Sequence, residues 1–288
     1  MQSHYLCPIC QAPMSVHEAS QGLYCVNKHH LDKNEQGYWM FSQAKKPNID
    51  SRQVMRSKRF LLESGIFAPV VEALNQHVAD ALASSTQPIA HLDFDCGEGF
   101  YLRALRATLQ SLSSEFSQTG VGEAENALFS AAKSYADATY IVSQLKQLPF
   151  ADASFDLITL IDKPLKGKEL LRVLKPGGLF VQLSPGPRHL WQIKDFLYSD
   201  LTEKKADLSL PKQLELVAQQ RVSFTLDATP EDAITLLEMT PYAWRAGDKQ
   251  KRQMLTGDFS KLEIDFYLTL STKLIDDKVN EDLLRKQD

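Results

Sequence analysis

From Pro69 onward, Val70, Leu74, Val78 and Leu82 recur at intervals of four with Val71 beside them, a spacing that lays one apolar stripe along a helix closing at Ser84-Ser85-Thr86. The period then changes. Short apolar runs at 89–94, 120–123, 138–142, 155–161 and 179–183 read as buried strands, with helical patterns between most of them, which predicts βα units and a mainly parallel sheet. Two later runs, 222–226 and 262–270, alternate cleanly, as at Ile264, Phe266, Leu268 and Leu270, and are expected to pair antiparallel at the sheet edge. The tail from 276 to 288 is mostly charged and either frays or forms a surface helix.

The first 60 residues lack these long periods and carry a different charge. They hold eight Lys or Arg against four acids, a net +4 that leaves −8 for the remainder of a chain whose total is −4. A basic face on an otherwise acidic protein suits contact with phosphates; a solvated linker would look the same by charge alone. Pro47-Asn48 breaks the pattern before a helical run, so the expected organisation is a small module over 1–42, a basic linker over 43–60, a large α/β domain over 61–275 and a charged tail over 276–288. At 288 residues there is room for one full α/β core plus such an appendage. A hydrophobic content of 43% without an apolar run near the roughly 20 residues of a membrane span argues against insertion. The chain starts without a charged-then-apolar leader, so a cytoplasmic protein with reduced cysteines is expected.

Three of the four cysteines fall in the first module. Cys7-Pro-Ile-Cys10, fourteen residues, Cys25, three residues and His29 form a CxxC…CxxxH pattern with which three thiolates and one imidazole can close a tetrahedral zinc site. His30, His17 and His4 also stand near enough to supply the fourth ligand; spacing favours His29. A filled shell of that kind leaves no position for substrate, so such a metal holds the fold. Nearby Tyr38, Trp39 and Phe41 either pack beneath the metal or stack on bases.

The stretch His91-Leu-Asp-Phe-Asp-Cys-Gly-Glu-Gly-Phe100 runs from an apolar strand through a glycine-rich turn into a helix. Glycines there let the backbone approach a ligand, and the following helix offers free N–H groups. Two further segments support a cofactor reading: Gln147-Leu-Pro-Phe-Ala-Asp-Ala-Ser-Phe-Asp156 before the fourth strand, and Leu171-Arg-Val-Leu-Lys-Pro-Gly-Gly-Leu-Phe-Val181 before the fifth. By itself Lys175-Pro-Gly-Gly178 is a helix stop and a turn into a buried strand.

In this order the segments closely resemble class I S-adenosylmethionine-dependent methyltransferases. Adding the zinc module, Ser184-Pro-Gly-Pro-Arg-His-Leu190 and Met239-Thr-Pro-Tyr-Ala-Trp-Arg245, nearly the whole chain resembles the large-subunit ribosomal RNA guanine-N1 methyltransferases. The resemblance implies a seven-stranded Rossmann-like sheet and structural zinc on Cys7, Cys10, Cys25 and His29. It also implies S-adenosylmethionine held by residues at Phe67, Gly97, Glu98 and His189, to which the reading of the turn adds Asp93 and Gly99 and the end of the second strand adds Glu123. The implied reaction is methylation of N1 of a guanine in 23S ribosomal RNA. Because N1 lies on the Watson–Crick edge, the target is expected unpaired, in a hairpin loop. Its proton must leave, and Asp162 and His189 are the acceptors that position suggests, although the family does not obviously place an acid at 162. Arg52, Arg56, Lys58 and Arg59 are expected on phosphates. Tyr242 and Trp244 either pack or stack beside the cleft, and Phe67, where the family has tyrosine, is either core or a cofactor wall. A homodimer is admitted, with no residue pointing to it.

Two departures stand out. The family's Asp-x-Gly-x-Gly-x-Gly reads Asp93-Phe-Asp-Cys-Gly-Glu-Gly99 here, so Asp95 replaces the first glycine. Overpacking there predicts a loss of about 1–3 kcal/mol, roughly ten- to a hundred-fold in cofactor affinity, which Asp95→Gly would recover. The ribose-binding acid expected at the end of the second strand falls at Gly122, and the nearest carboxylate, Glu123, is one residue late and so faces the other side unless a loop re-aims it. These departures define a rival reading, an RNA-binding protein that kept the fold and lost the cofactor.

Overall fold

A computed structural model describes residues 4–42, 52–85, 87–203, 205–206 and 209–275. The chain in order forms β1 (Met14–Val16), β2 (Leu23–Cys25), β3 (His30–Leu31) and β4 (Tyr38–Met40), then helices α1 (Arg52–Glu63) and α2 (Ala68–Leu82). The large domain follows with β5 (Ile89–Phe94), α3 (Phe100–Ala104), α4 (Arg106–Leu112), β6 (Phe116–Gly122), α5 (Glu125–Ser134), β7 (Thr139–Val142) and β8 (Phe155–Ile161). It continues through α6 (Glu169–Val173), β9 (Leu174–Pro185), α7 (Trp191–Asp195), β10 (Leu214–Leu226), α8 (Pro230–Glu238), α9 (Asp248–Met254) and β11 (Leu262–Lys273).

The main sheet has the order β10-β11-β9-β8-β5-β6-β7-β4. Strands β5 to β9 pair in parallel, which buries both faces, so Leu92, Ile158 and Phe180 on one side and Leu157, Leu179 and Val181 on the other are all core. The last two strands form the expected antiparallel edge, β11 against β9 and β10 against β11. Their alternation is the signature of that edge: Ile264, Phe266, Leu268 and Leu270 all turn into the core that holds α2 and α8.

Among the described residues the sheet has eight strands where seven were expected. The extra one is β4, contributed by the N-terminal module and paired in parallel with β7 through Trp39 and Ile141. The module is thus joined to the large domain by main-chain hydrogen bonds, including Leu6 N–H to Pro149 O at 3.0 Å and Ala151 N–H to His4 O at 2.8 Å. Cys7, Met14, Trp39 and Phe41 share one apolar cluster with Phe150, Phe155 and Leu174. Tyr38, Trp39 and Phe41 are buried, so of the two readings open to them packing holds. The stretch expected as a linker over 43–60 is helical from Arg52, and α1 packs against α3 and α8. The Lys175-Pro-Gly-Gly178 turn ends α6 as expected, but it lies within β9 as an irregularity, with Gly177 at φ +72° and the pairing to β8 shifting from Phe155–Leu174 to Leu157–Leu179. The charged tail lies outside the described residues, as do 43–51 of the linker. Among the described residues no helix is long and apolar enough to cross a membrane.

Candidate active site at the ends of the central strands

In the N-terminal module Cys7, Cys10, Cys25 and His29 place their ligand atoms within 4.8 Å of one another. His29 Nδ1 stands 3.5 Å from both the Cys7 and the Cys25 sulfur, and the Cys10 and Cys25 sulfurs are 3.8 Å apart. Thiolates at roughly 2.3 Å from a tetrahedral zinc are separated by roughly 3.8 Å, so the donor set fits zinc in number, chemistry and spacing. Among the alternatives His17 is turned to Ser20 and His30 stacks on Tyr24.

The glycine-rich turn leaves β5 with three left-handed residues in five: Asp95 (φ 56°), Gly97 (φ 57°) and Gly99 (φ 79°). A β-carbon on Gly97 would meet nothing within 4 Å, so this face of the turn is open, as a backbone that accepts a ligand requires. Asp95 tolerates the left-handed region because aspartate is among the few residues that do. Its Oδ2 is 3.0 Å from Lys163 Nζ, at the end of β8.

Other residues expected around a cofactor are engaged elsewhere. Asp93 is buried and accepts from Thr159 Oγ1 at 2.9 Å, within a chain that continues through His91 to Gln118. Burial pushes its carboxyl up to about 7, with the Thr159 hydrogen bond opposing and Asp95 adding a little. Glu98 is buried between Arg59 Nε and Arg103, both at 3.0 Å. Arg59, expected on phosphates, is therefore spent inside the fold, and it also donates to the Ser130 carbonyl and hydroxyl. Glu123 accepts the Leu145 N–H at 3.2 Å, in the loop after β7. Phe67 is buried edge-on to Phe266 in the core.

Beside the turn, a cavity of about 680 Å³ opens over the ends of β8 and β9, lined by Asp162, Lys163, Ser184, His189, Lys194 and Tyr242 among others. It brings together both expected proton acceptors, which lie 27 residues apart in sequence. Asp162 sits at φ 53°, and burial lifts its carboxyl to about 7 against the opposing pull of Lys163 and Lys194. His189 is buried, its ring 4.1 Å from that of Phe266, and Nδ1 accepts the Asp265 N–H at 3.3 Å. Burial drives its pKa down to about 3, so it is neutral near pH 7. Lys194 is half-buried, which lowers its pKa, while Asp162 and Asp265 pull the other way. Its ammonium lies 5.8 Å from the ring of Tyr242, a residue that also lines the wall and whose hydroxyl is buried. Trp244, two residues on, is 76% exposed with the Arg245 guanidinium 4.6 Å above its ring.

Lys163 and Lys194 were not anticipated. A lysine beside an acid in a βα loop carries no periodic signal, and only the folded chain turns both toward Asp162. The Ser184–Leu190 segment owes its shape to Asp265, fully buried on β11, which binds Arg221 and the Arg188 N–H. A β-carbon on Gly186 would lie 2.3 Å from Asp265 Oδ2. Gly186→Ala is therefore expected to cost about 1–3 kcal/mol by overpacking. At roughly 2–4 °C per kcal/mol for a chain of this size, calorimetry would register the loss. A melting temperature unchanged to within about a degree would show that the loop moves aside at no cost.

Comparison with known proteins agrees with this geometry. Residues 92–182 match the family model described as "Methyltransferase domain". The chain is 27% identical over 260 residues to the Bacillus subtilis protein named "Putative 23S rRNA (guanine-N(1)-)-methyltransferase YxjB", covering 85% of this chain and 88% of that one. It is 26% identical over 246 residues to a Streptomyces fradiae protein named "23S rRNA (guanine(748)-N(1))-methyltransferase", covering 83% and 85%.

Proposed function

We propose that this chain, a class I methyltransferase-fold protein similar over more than four-fifths of its length to enzymes named as 23S rRNA guanine-N1 methyltransferases, methylates N1 of a guanine in large-subunit ribosomal RNA. The observation that carries the reading is the cavity that holds Asp162 and His189 together, tied to the glycine-rich turn by Lys163, which lines it and pairs with Asp95 at 3.0 Å. The open turn and this cavity speak against the rival, non-catalytic reading.

S-adenosylmethionine, when bound, supplies a methyl group on a positive sulfonium. The turn from Asp95 to Gly99 would hold it, with Asp93 and Glu98 stiffening that turn through Thr159, Arg59 and Arg103 rather than touching the ligand. Guanine N1 carries a proton, and the Asp162 carboxylate is its acceptor: a group lifted to about 7 is largely ionised at slightly alkaline pH yet basic enough to take a proton. His189 is too weak a base for that step, so its role is to present a neutral ring, oriented by the Asp265 N–H and Phe266. Lys194 offers a donor on the same wall.

The target is an unpaired guanine in a hairpin loop, because a base paired along its Watson–Crick edge cannot present N1 to Asp162. Exposed Arg56 on α1 grips phosphates, and exposed Trp244 gives a flanking base a face to stack on.

The test is to incubate the pure protein with 23S ribosomal RNA and cofactor carrying a labelled methyl group, then to map the product by reverse transcription, which stops at an N1-methylated guanine. A single stop in a loop, dependent on cofactor, is expected. Absence of label in the RNA, or label on another atom, would refute the assignment.

A further inference from the structure

The two oddities of the cofactor turn lie next to each other in space. In Rossmann-like sheets a carboxylate at the end of the second strand accepts the ribose hydroxyls of a bound nucleoside. Here that strand is β6, and it ends at Gly122, with no side chain. Glu123, the next residue, is turned away to the Leu145 N–H at 3.2 Å.

Asp95 reaches the gap from the neighbouring strand. Its left-handed backbone swings the carboxylate so that its two oxygens serve different sides. Oδ2 meets Lys163 Nζ from the loop after β8 at 3.0 Å, while Oδ1 lies 3.9 Å from where a β-carbon on Gly122 would stand. The side chain stays 28% exposed and leaves the Gly97 face open, so it stands beside the ligand space without filling it. A side chain at 122 would point into the same region, with only the movable tip of Leu128, 2.8 Å from the built β-carbon, in its way.

We propose that the Asp95 carboxylate supplies, from the turn after β5, the ribose-hydroxyl acceptor that β6 lacks at Gly122, with Lys163 as the residue that positions it. The two departures then compensate, and the affinity loss expected from overpacking reverses sign: removing Asp95 weakens binding. This rests on the S-adenosylmethionine reading above.

Calorimetric titration with S-adenosylhomocysteine and with its 2′-deoxyribose counterpart tests it without any turnover. Removing a charged acceptor leaves the hydroxyls unpaired, so Asp95→Gly is expected to weaken S-adenosylhomocysteine binding about ten- to a hundred-fold. Adding Gly122→Asp to that variant is expected to recover most of the loss. The wild type should prefer the ribose ligand over the deoxyribose one, and Asp95→Gly should bind the two alike. Glycine suits φ 56° better than aspartate does, so the variant is expected to fold, and Asp95→Asn, which keeps the size, gives a second reading with a smaller loss. Equal or tighter binding by Asp95→Gly overturns the proposal while leaving the methyltransferase reading intact. Failure of the wild type to bind S-adenosylhomocysteine at all overturns both.

Discussion

Asp162→Asn is expected to slow methyl transfer by about 10²–10⁴-fold, the usual contribution of a placed general base, while RNA and cofactor affinities stay near wild type. The wild-type single-turnover rate should climb as pH rises through about 7. The sign follows from the chemistry: the base works only when ionised, and burial holds the Asp162 carboxyl up to about 7 despite the opposing charges of Lys163 and Lys194. Asparagine has no proton to lose, so its residual rate should be flat across the same interval. His189 cannot produce that limb, since its ring titrates far lower, at about 3. If the variant keeps a rate within about three-fold of wild type and the same pH limb, Asp162 is not the acceptor.

Removing the metal from the N-terminal site should destabilise the whole chain. Cys25 sits at the end of β2 among the ligands, and the shell it completes fixes the segment that delivers β4 to the main sheet. Cys7, Met14, Trp39 and Phe41 fill one core with Phe150, Phe155 and Leu174, so loosening the module opens a cavity under β8 and β9 as well. Cys25→Ser or exhaustive chelation is expected to cost more than about 4 kcal/mol, the range of a lost metal site. For a chain of this size that lowers the melting temperature by about 10 °C, in one calorimetric transition. Two transitions, with the larger insensitive to chelator, would mean that the zinc module folds independently of the sheet.

Both the N-terminal module and α1 are tied to the large domain. The helix α1, which begins inside the stretch expected as a linker, carries Arg59 into the fold, where it clamps Glu98 of the glycine-rich turn. Arg56 on the same helix remains at the surface. A load on α1 from bound RNA would therefore act directly on the segment that holds the turn.

How much of this was legible beforehand differs by kind of residue. The strands β5 and β8 were readable to the residue because both faces are largely buried, with His91 and Asp93 the polar positions in one and Asp156 and Thr159 in the other. The metal-ligand cluster was readable because the CxxC…CxxxH spacing names four donors of matching chemistry, and the fold brings their ligand atoms within 4.8 Å of one another. The cofactor residues were harder. Glu98, Asp93 and Glu123 bear the right chemistry at the right place in the chain, yet each is bound by a group from another element: Arg59 and Arg103, Thr159, and the Leu145 N–H. Position along a strand says where a carboxylate begins, not what meets it.

Periodicity and spacing predicted an α/β sheet with an antiparallel edge and a four-ligand metal knuckle, and the resemblance added a cofactor to the glycine turn, since each of these is carried by the order of residue types along the chain. The tertiary structure decided the rest: that β4 makes the knuckle part of the sheet, that Asp162, Lys163, Lys194 and His189 share one cavity, and that Asp95 leans toward the gap at Gly122. Those depend on which strand ends lie side by side, and sheet order is set by packing between segments distant in the chain.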